Sequence, residues 1–244
     1  MIFLNFFNFL LIKIDELFFA SPAVLIYHSV SDGKTPISIS SGNFEKQMAF
    51  LDKSGAKVIN LKDFLDFKNG LLKLKGRNVF ITFDDAFKDI VINALPILKK
   101  YNFPAAVFIN PALLGKKAIF ATKEKDKQRS ICSLSDLKSL EKSGVAIANH
   151  GYSHKSFSEL TETEFFLEYK KSEDFIEENF KENSYPDVFV FPKGAGNQRI
   201  ISFLNGRGAK ILNNRTDIYS NTSLFKFVFK LSGFYFWLRQ KIFT

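Results

Sequence analysis

The chain carries a single cysteine, Cys132, in 244 residues, so no intramolecular disulfide can staple it and cysteine usage does not reveal a compartment. No thiol-activating motif surrounds Cys132, and a buried apolar thiol is the expected role. A long apolar run is also missing. Met1–Ile12 is apolar but short, is interrupted by Asn5 and Asn8, and is followed by Lys13, Asp15 and Glu16. A spanning helix takes about 20 apolar residues and a secretory signal usually opens with positive charge. Neither fits. An amphipathic helix lying on the domain or on a membrane surface is expected instead. There is no internal repeat, and no break in composition sets off a second domain.

What is present describes a globular chain: 46% hydrophobic and 24% charged residues, long enough for one large domain. The 30 phenylalanines stand out, beside abundant Lys, Asn and Ile. The net charge of +9 is scattered, and a cluster such as Lys123–Arg129 also contains Glu124 and Asp126. Without a nucleic-acid motif, this reads as general basicity that favours an anionic surface, and no nucleic-acid partner is expected.

Strand and helix signals alternate along the chain. Apolar strands are expected at Ala23–His28, Lys57–Ile59, Val79–Phe83, Ala105–Ile109, Val145–Asn149, Val188–Phe191 and Ala209–Leu212. Between them lie helices. Asn43 can cap one over Phe44–Lys53, a second lies near Leu61–Phe67, and Phe87–Tyr101 has helical spacing that Pro96 should end or kink. Ser133 with Asp136 starts a helix that stops at Gly144, and Thr161 with Glu164 makes a capping box for one reaching about Asn179. Gln198–Asn205 is the last of these. Ser29–Ser41 reads as a polar loop, and Pro111–Ser130 as a surface loop or insertion. The alternation implies an α/β fold with parallel strands and crossover helices, and leaves open sheet or barrel undecided.

The chemistry-bearing residues fall at strand ends. V-F-I-T-F-D-D-A-F (Val79–Phe87) is a buried strand running into Asp84 and Asp85. Adjacent carboxylates resist burial unless a cation or a shared proton compensates. The alternative is that Asp84 caps the following helix while Asp85 is solvated. His28, His150 and the Pro192–Gly196 turn each follow a strand too, which is the face where α/β folds build sites. His150 and His154 lie four apart in N-H-G-Y-S-H. With one carboxylate, two imidazoles make a facial ligand set that leaves positions open for water and substrate.

These residues resemble the polysaccharide deacetylases, carbohydrate esterase family 4. Thr82–Ala86, T-F-D-D-A, matches the family's T-F-D-D-G, and H-G-Y-S-H matches H-[ST]-x-x-[HD]. Phe189–Gly194, F-V-F-P-K-G, matches the proline turn of one branch, F-x-Y-P-Y-G. The early Y-H strand is similar to the branch acting on biofilm poly-N-acetylglucosamine. The resemblance covers roughly Ala23–Leu212 and implies a distorted (β/α)7-type barrel in a single domain over residues 23–215. Residues 1–22 and 216–244 would be appended segments.

The resemblance further implies that Asp84 is the general base, and that Asp85, His150 and His154 hold a divalent ion, most often Zn2+. The backbone N–H of Lys193, after Pro192, would serve the oxyanion. The family's late catalytic histidine has no counterpart, since no histidine follows His154, and His28 is the remaining candidate for the general acid. Ala86, Gly151 and Val190 depart from the family's Gly, its Ser or Thr, and its base-orienting Arg.

The implied activity is removal of N-acetyl groups from an N-acetylglucosamine-containing envelope or extracellular glycan. An O-acetyl esterase and a catalytically silent glycan-binding protein are the alternatives. The cell envelope or a membrane surface is favoured as the location, with the cytoplasm open. Leu224–Ile242, aromatic and basic, reads as an amphipathic helix for membrane-surface contact or for packing across the barrel.

Overall fold

A computed structural model describes residues 22–33, 35–156, 160–194, 198–212 and 218–220, with backbone alone at 198, 199 and 218–220. The expected helices within Met1–Ile12 and Leu224–Ile242 lie outside the described residues. Among the described residues, no helix is long and apolar enough to cross a membrane.

Eight parallel strands form one curled sheet. In chain order they are β1 (Ala23–Tyr27), β4 (Lys57–Ile59), β5 (Asn78–Asp84), β6 (Ala106–Ile109), β7 (Ala146–Asn149), β8 (Ser184–Phe189), β9 (Lys210–Ile211) and β10 (Ile218–Ser220). The spatial order is β10-β1-β5-β6-β7-β8-β9, with β4 pairing the start of β5. Seven of the eight match the expected strands, and β10, beside β1, adds an eighth. The segment expected as a polar loop holds a further short parallel pair, β2 (Ser29–Val30) with β3 (Ser38–Ile39).

Alternation along the strands sorts the core into two layers. Val79, Ile81 and Phe83 of β5, Val107 and Ile109 of β6, and Ile147 of β7 share one cluster with Phe44, Met48, Leu98, Leu137 and Leu140. Those partners come from helices α1 (Ser41–Lys53), α3 (Leu95–Tyr101) and α5 (Leu134–Lys142). The opposite face carries Phe80, Ala106, Phe108, Ala146, Ala148, Val188 and Val190. It packs on Leu61, Phe64 and Leu65 of α2 (Leu61–Lys68). By the same alternation Asp84 and His150 belong to this second face, so the pleat aims both into the concave side. A third cluster seats α6 (Glu162–Asn179) and α7 (Gln198–Asn205) on β8 through Phe165, Tyr169, Phe189 and Leu204.

Local signals explain most boundaries. Both capping boxes form: Ser133 and Asp136 exchange hydrogen bonds at the start of α5, as do Thr161 and Glu164 at α6. α1 starts earlier than Asn43, because the Ser40 hydroxyl accepts the Asn43 N–H and caps the helix. The helical run ahead of Tyr101 is not one regular α-helix, and the irregularity expected at Pro96 lies in the turn directly before it. A π-helical turn, Ile90–Ala94, runs directly into α3, and Pro96 is the second residue of α3, so the wider turn accommodates a residue that has no N–H to donate.

β8 begins at Ser184, four residues before the expected Val188, and contains Pro186. The β7–β8 register jumps from Ala148↔Tyr185 to Asn149↔Phe189, and this irregularity takes up a proline that cannot donate to the ladder. Pro111–Ser130 is more than a surface loop. It contains a 3-10 turn, Pro111–Leu113, and the short helix α4 (Glu124–Lys127), and it buries Ala118 and Asp126.

Candidate metal centre and active site

β5 is buried along its whole length and ends in a sharp reversal: Asp85 and Ala86 both adopt left-handed backbone, with φ of 67° and 53°. That conformation favours glycine, which explains a glycine in the family motif at the position of Ala86. The Ala86 carbonyl is retained by the Cys132 N–H at 2.9 Å. His154 and Lys193 are also left-handed, with φ of 58° and 57°. The remaining non-glycine residue of this kind among those described, Asn102, merely closes α3, so backbone strain concentrates where chemistry-bearing residues converge.

The reversal turns Asp85 inward. It is buried rather than solvated, and Asp84 beside it is buried as well. Asp85 Oδ1 lies 3.0 Å from His154 Nε2 and 3.5 Å from His150 Nε2, yet takes no well-aligned hydrogen bond. One ligand atom from each of the three residues falls within 4.8 Å of the others. His150 Nδ1 lies 2.9 Å from the Val190 carbonyl oxygen, an acceptor that requires the proton on Nδ1 and leaves the Nε2 lone pair facing Asp85. An orphaned buried carboxylate oxygen, a presented imidazole lone pair and a second imidazole fit a divalent cation. Two nitrogens and one oxygen form a set borne by catalytic ions.

Charge responds accordingly. Burial alone would raise the Asp85 carboxyl, but the two imidazoles outweigh it and hold the group well below the usual carboxylate range. Asp84 moves the other way: burial, with the Asp85 charge adding to it, raises its pKa against the pull of His150 and His28. Burial favours neutral His150, but Asp85 and Asp84 more than offset it and raise its pKa.

His28 directly follows β1. The register pairs Tyr27 with Phe83, so the next residues on the two strands are His28 and Asp84. A charge on His28 acts on both Asp84 and Asp85. The turn at Pro192–Gly194 comes two residues after Val190, with Pro192 buried and the Lys193 side chain exposed.

The loop between His150 and His154 is held by residues that motif reading missed. Asn110, just past β6, donates its amide to the carbonyls of His150 (2.6 Å) and Gly151 (3.0 Å). The Asn149 side chain accepts the Gly151 N–H at 2.8 Å and donates to the Tyr169 and Pro186 carbonyls. Ser153 donates its N–H and its hydroxyl to Glu168 of α6. A hydroxyl at position 151 is therefore unnecessary for fixing this loop. Phe120, from the segment expected as a surface loop, lies with its ring centroid 4.2 Å from that of His154, whose Nδ1 is buried without a hydrogen bond. For Asn110 and Asn149 the available signal was a polar residue at a strand end. For Phe120 there was none.

Fold and site together define an α/β half-barrel protein with a candidate metal centre at the carboxyl ends of its strands. A family model described as polysaccharide deacetylase matches residues 72–212, and the chain belongs to that family. It is 31% identical over 182 residues to the poly-beta-1,6-N-acetyl-D-glucosamine N-deacetylase of Staphylococcus aureus, an alignment covering 71% of this chain and 59% of that relative. The chain thus spans about three-fifths of the length of this relative. Among solved structures, IcaB from Ammonifex degensii superposes with a TM-score of 0.67 at 24% identity, covering 78% of this chain and 81% of that one. The Streptococcus pyogenes deacetylase PplD gives 0.63 at 19%, covering 77% and 80%. At these identities both establish the fold.

Proposed function

We propose that the chain is a zinc-dependent hydrolase that removes N-acetyl groups from an N-acetylglucosamine-containing polysaccharide. The observation that carries this is the placement of Asp84 beside the buried Asp85–His150–His154 group, with His28 next to it across the β1–β5 pair. The substrate class follows the Staphylococcus aureus relative.

Asp85, His150 and His154 would hold the ion, which supplies Lewis acidity to the acetamide carbonyl and to the attacking water. Two imidazoles and a carboxylate suit zinc. Asp84 takes the water's proton as general base, and its burial raises its basicity toward the working pH. The Lys193 N–H, in the turn fixed by Pro192, donates to the carbonyl oxygen as it gains charge. His28 gives a proton to the sugar nitrogen as the C–N bond breaks, releasing acetate and a free amine. The product gains a positive charge.

The test is acetate release from β-1,6-linked N-acetylglucosamine oligomers by wild type and Asp84→Asn, each with zinc and with chelator. O-acetylated sugars serve as a comparison. Zinc-dependent release that Asp84→Asn abolishes is the expected result. Preference for O-acetyl substrates would make the chain an esterase. Zinc binding without release from any oligomer would overturn the enzymatic reading in favour of a glycan-binding protein.

A further inference from the structure

Asp89 and Arg129 are charged, largely withdrawn from solvent and outside the mechanism described above. Their side chains are 15% and 14% exposed. The Asp89 carboxylate accepts from the Ser29 hydroxyl at 2.7 Å and from the Val30 N–H at 2.9 Å. Asn93, one turn further on, donates its amide to the Val30 carbonyl at 2.7 Å. From the other side, the Arg129 guanidinium donates to the hydroxyls of Ser29 and Ser31 and lies 3.5 Å from Asp89 Oδ2. Arg129 is itself anchored by its Nε, 2.9 Å from Asp126 Oδ1, and Asp126 also accepts from Thr35 at 2.8 Å. Gly33 packs so closely on Arg129 that a Cβ there would collide with the guanidinium.

The bonds from Asp89, Asn93 and Arg129 converge on Ser29, Val30 and Ser31, the residues that immediately follow His28. On its other side His28 continues β1, which is laddered to β5 up to Phe83. Asp89 lies four residues beyond Asp85 on the chain that carries the acid pair. The network therefore ties the far end of the histidine segment to the element that carries the acids.

We propose that Asp89 and Arg129 form a clamp that positions His28 against Asp84, with Asp89 as the principal positioning residue. This rests on the reading of His28 as the proton donor. A hydrogen-bonded ion pair braced by hydroxyls suits the task. Once formed it resists displacement, because separating its members would leave a poorly solvated charge unpaired. It also explains why the segment around Asp126 and Arg129 folds back against the β2–β3 pair.

The chain holds three histidines, so each ring signal of 15N-labelled protein can be assigned by substitution. In zinc-loaded protein, Asp89→Ala is expected to shift or broaden the His28 ring signals while leaving those of His150 and His154 in place. Turnover on N-acetylglucosamine oligomers should fall about tenfold with KM within about twofold, and in the His28→Ala background Asp89→Ala should cost less than about twofold. Ser29→Ala removes one contact and no charge, and carries the same test, with smaller effects, where Asp89→Ala does not fold. An unchanged His28 signal, or costs that add fully in the double variant, would overturn the clamp. Wild type without activity would instead sink the deacetylase reading, and the ring signals would still decide the clamp.

Discussion

The proton on His150 Nδ1 points to the backbone carbonyl of Val190, 2.9 Å away, and this fixes which ring nitrogen faces Asp85. Position 190 is where the family pattern often has an arginine. Because the acceptor is main chain, the Val190 side chain is free to join the apolar face of the sheet, and the departure leaves the His150 orientation intact.

Zinc binding to the native state alone should stabilise the protein. At a free concentration about 100 times the dissociation constant, linkage contributes about 2.7 kcal/mol. For a chain of this size that is a rise in Tm of about 5–10 °C. Thermal melts with zinc and with chelator measure it. Asp85→Ala should abolish the difference, since it removes the carboxylate that faces both imidazoles.

Asn110 satisfies two buried carbonyls at once. Asn110→Ala leaves the oxygens of His150 and Gly151 without that donor, and a cost of about 1–3 kcal/mol is expected. Urea unfolding of the chelated protein reads this directly. Zinc affinity should drop as well, because the carbonyls belong to the loop carrying His150 and His154, the proposed imidazole ligands.

His28→Ala should retain zinc stoichiometry while turnover falls by about 100-fold or more, the range for a lost general acid. Calorimetric zinc titration alongside acetate release separates the two. Unchanged turnover would remove His28 from the mechanism.

The cap of α5 should show a pH signature. Burial tends to raise the Asp136 carboxyl, but the Ser133 N–H and hydroxyl, with Lys88, outweigh it and the net shift is downward. A depressed carboxylate contributes stability above its unfolded pKa, and loses it as pH falls through the folded value. Ser133→Ala is therefore expected to cost about 1 kcal/mol at neutral pH. The gap from wild type should narrow below about pH 4. Denaturant titrations at pH 7 and pH 3 test the sign.

The sequence by itself determined whatever is encoded locally. Apolar runs such as Val79–Phe83 marked the strands, Ser133 with Asp136 and Thr161 with Glu164 marked two helix starts, and the acid pair and the H-x3-H spacing pointed to the residues that gather in the candidate centre. Each depends on neighbours within a few residues, where chain geometry leaves little choice. What tertiary structure decided lay between distant segments. The proline-containing start of β8 is tolerated because the β7 register shifts against it. Asn110 reaches across 40 residues to the histidine loop, and Arg129 reaches across 100 to Ser29. Pairing energies of that kind exist only once packing has excluded water and brought the partners together, so no local pattern announces them. The same exclusion of water set the environments of the acid pair, burying both carboxylates and bringing Asp85 to face two imidazoles more than 60 residues away.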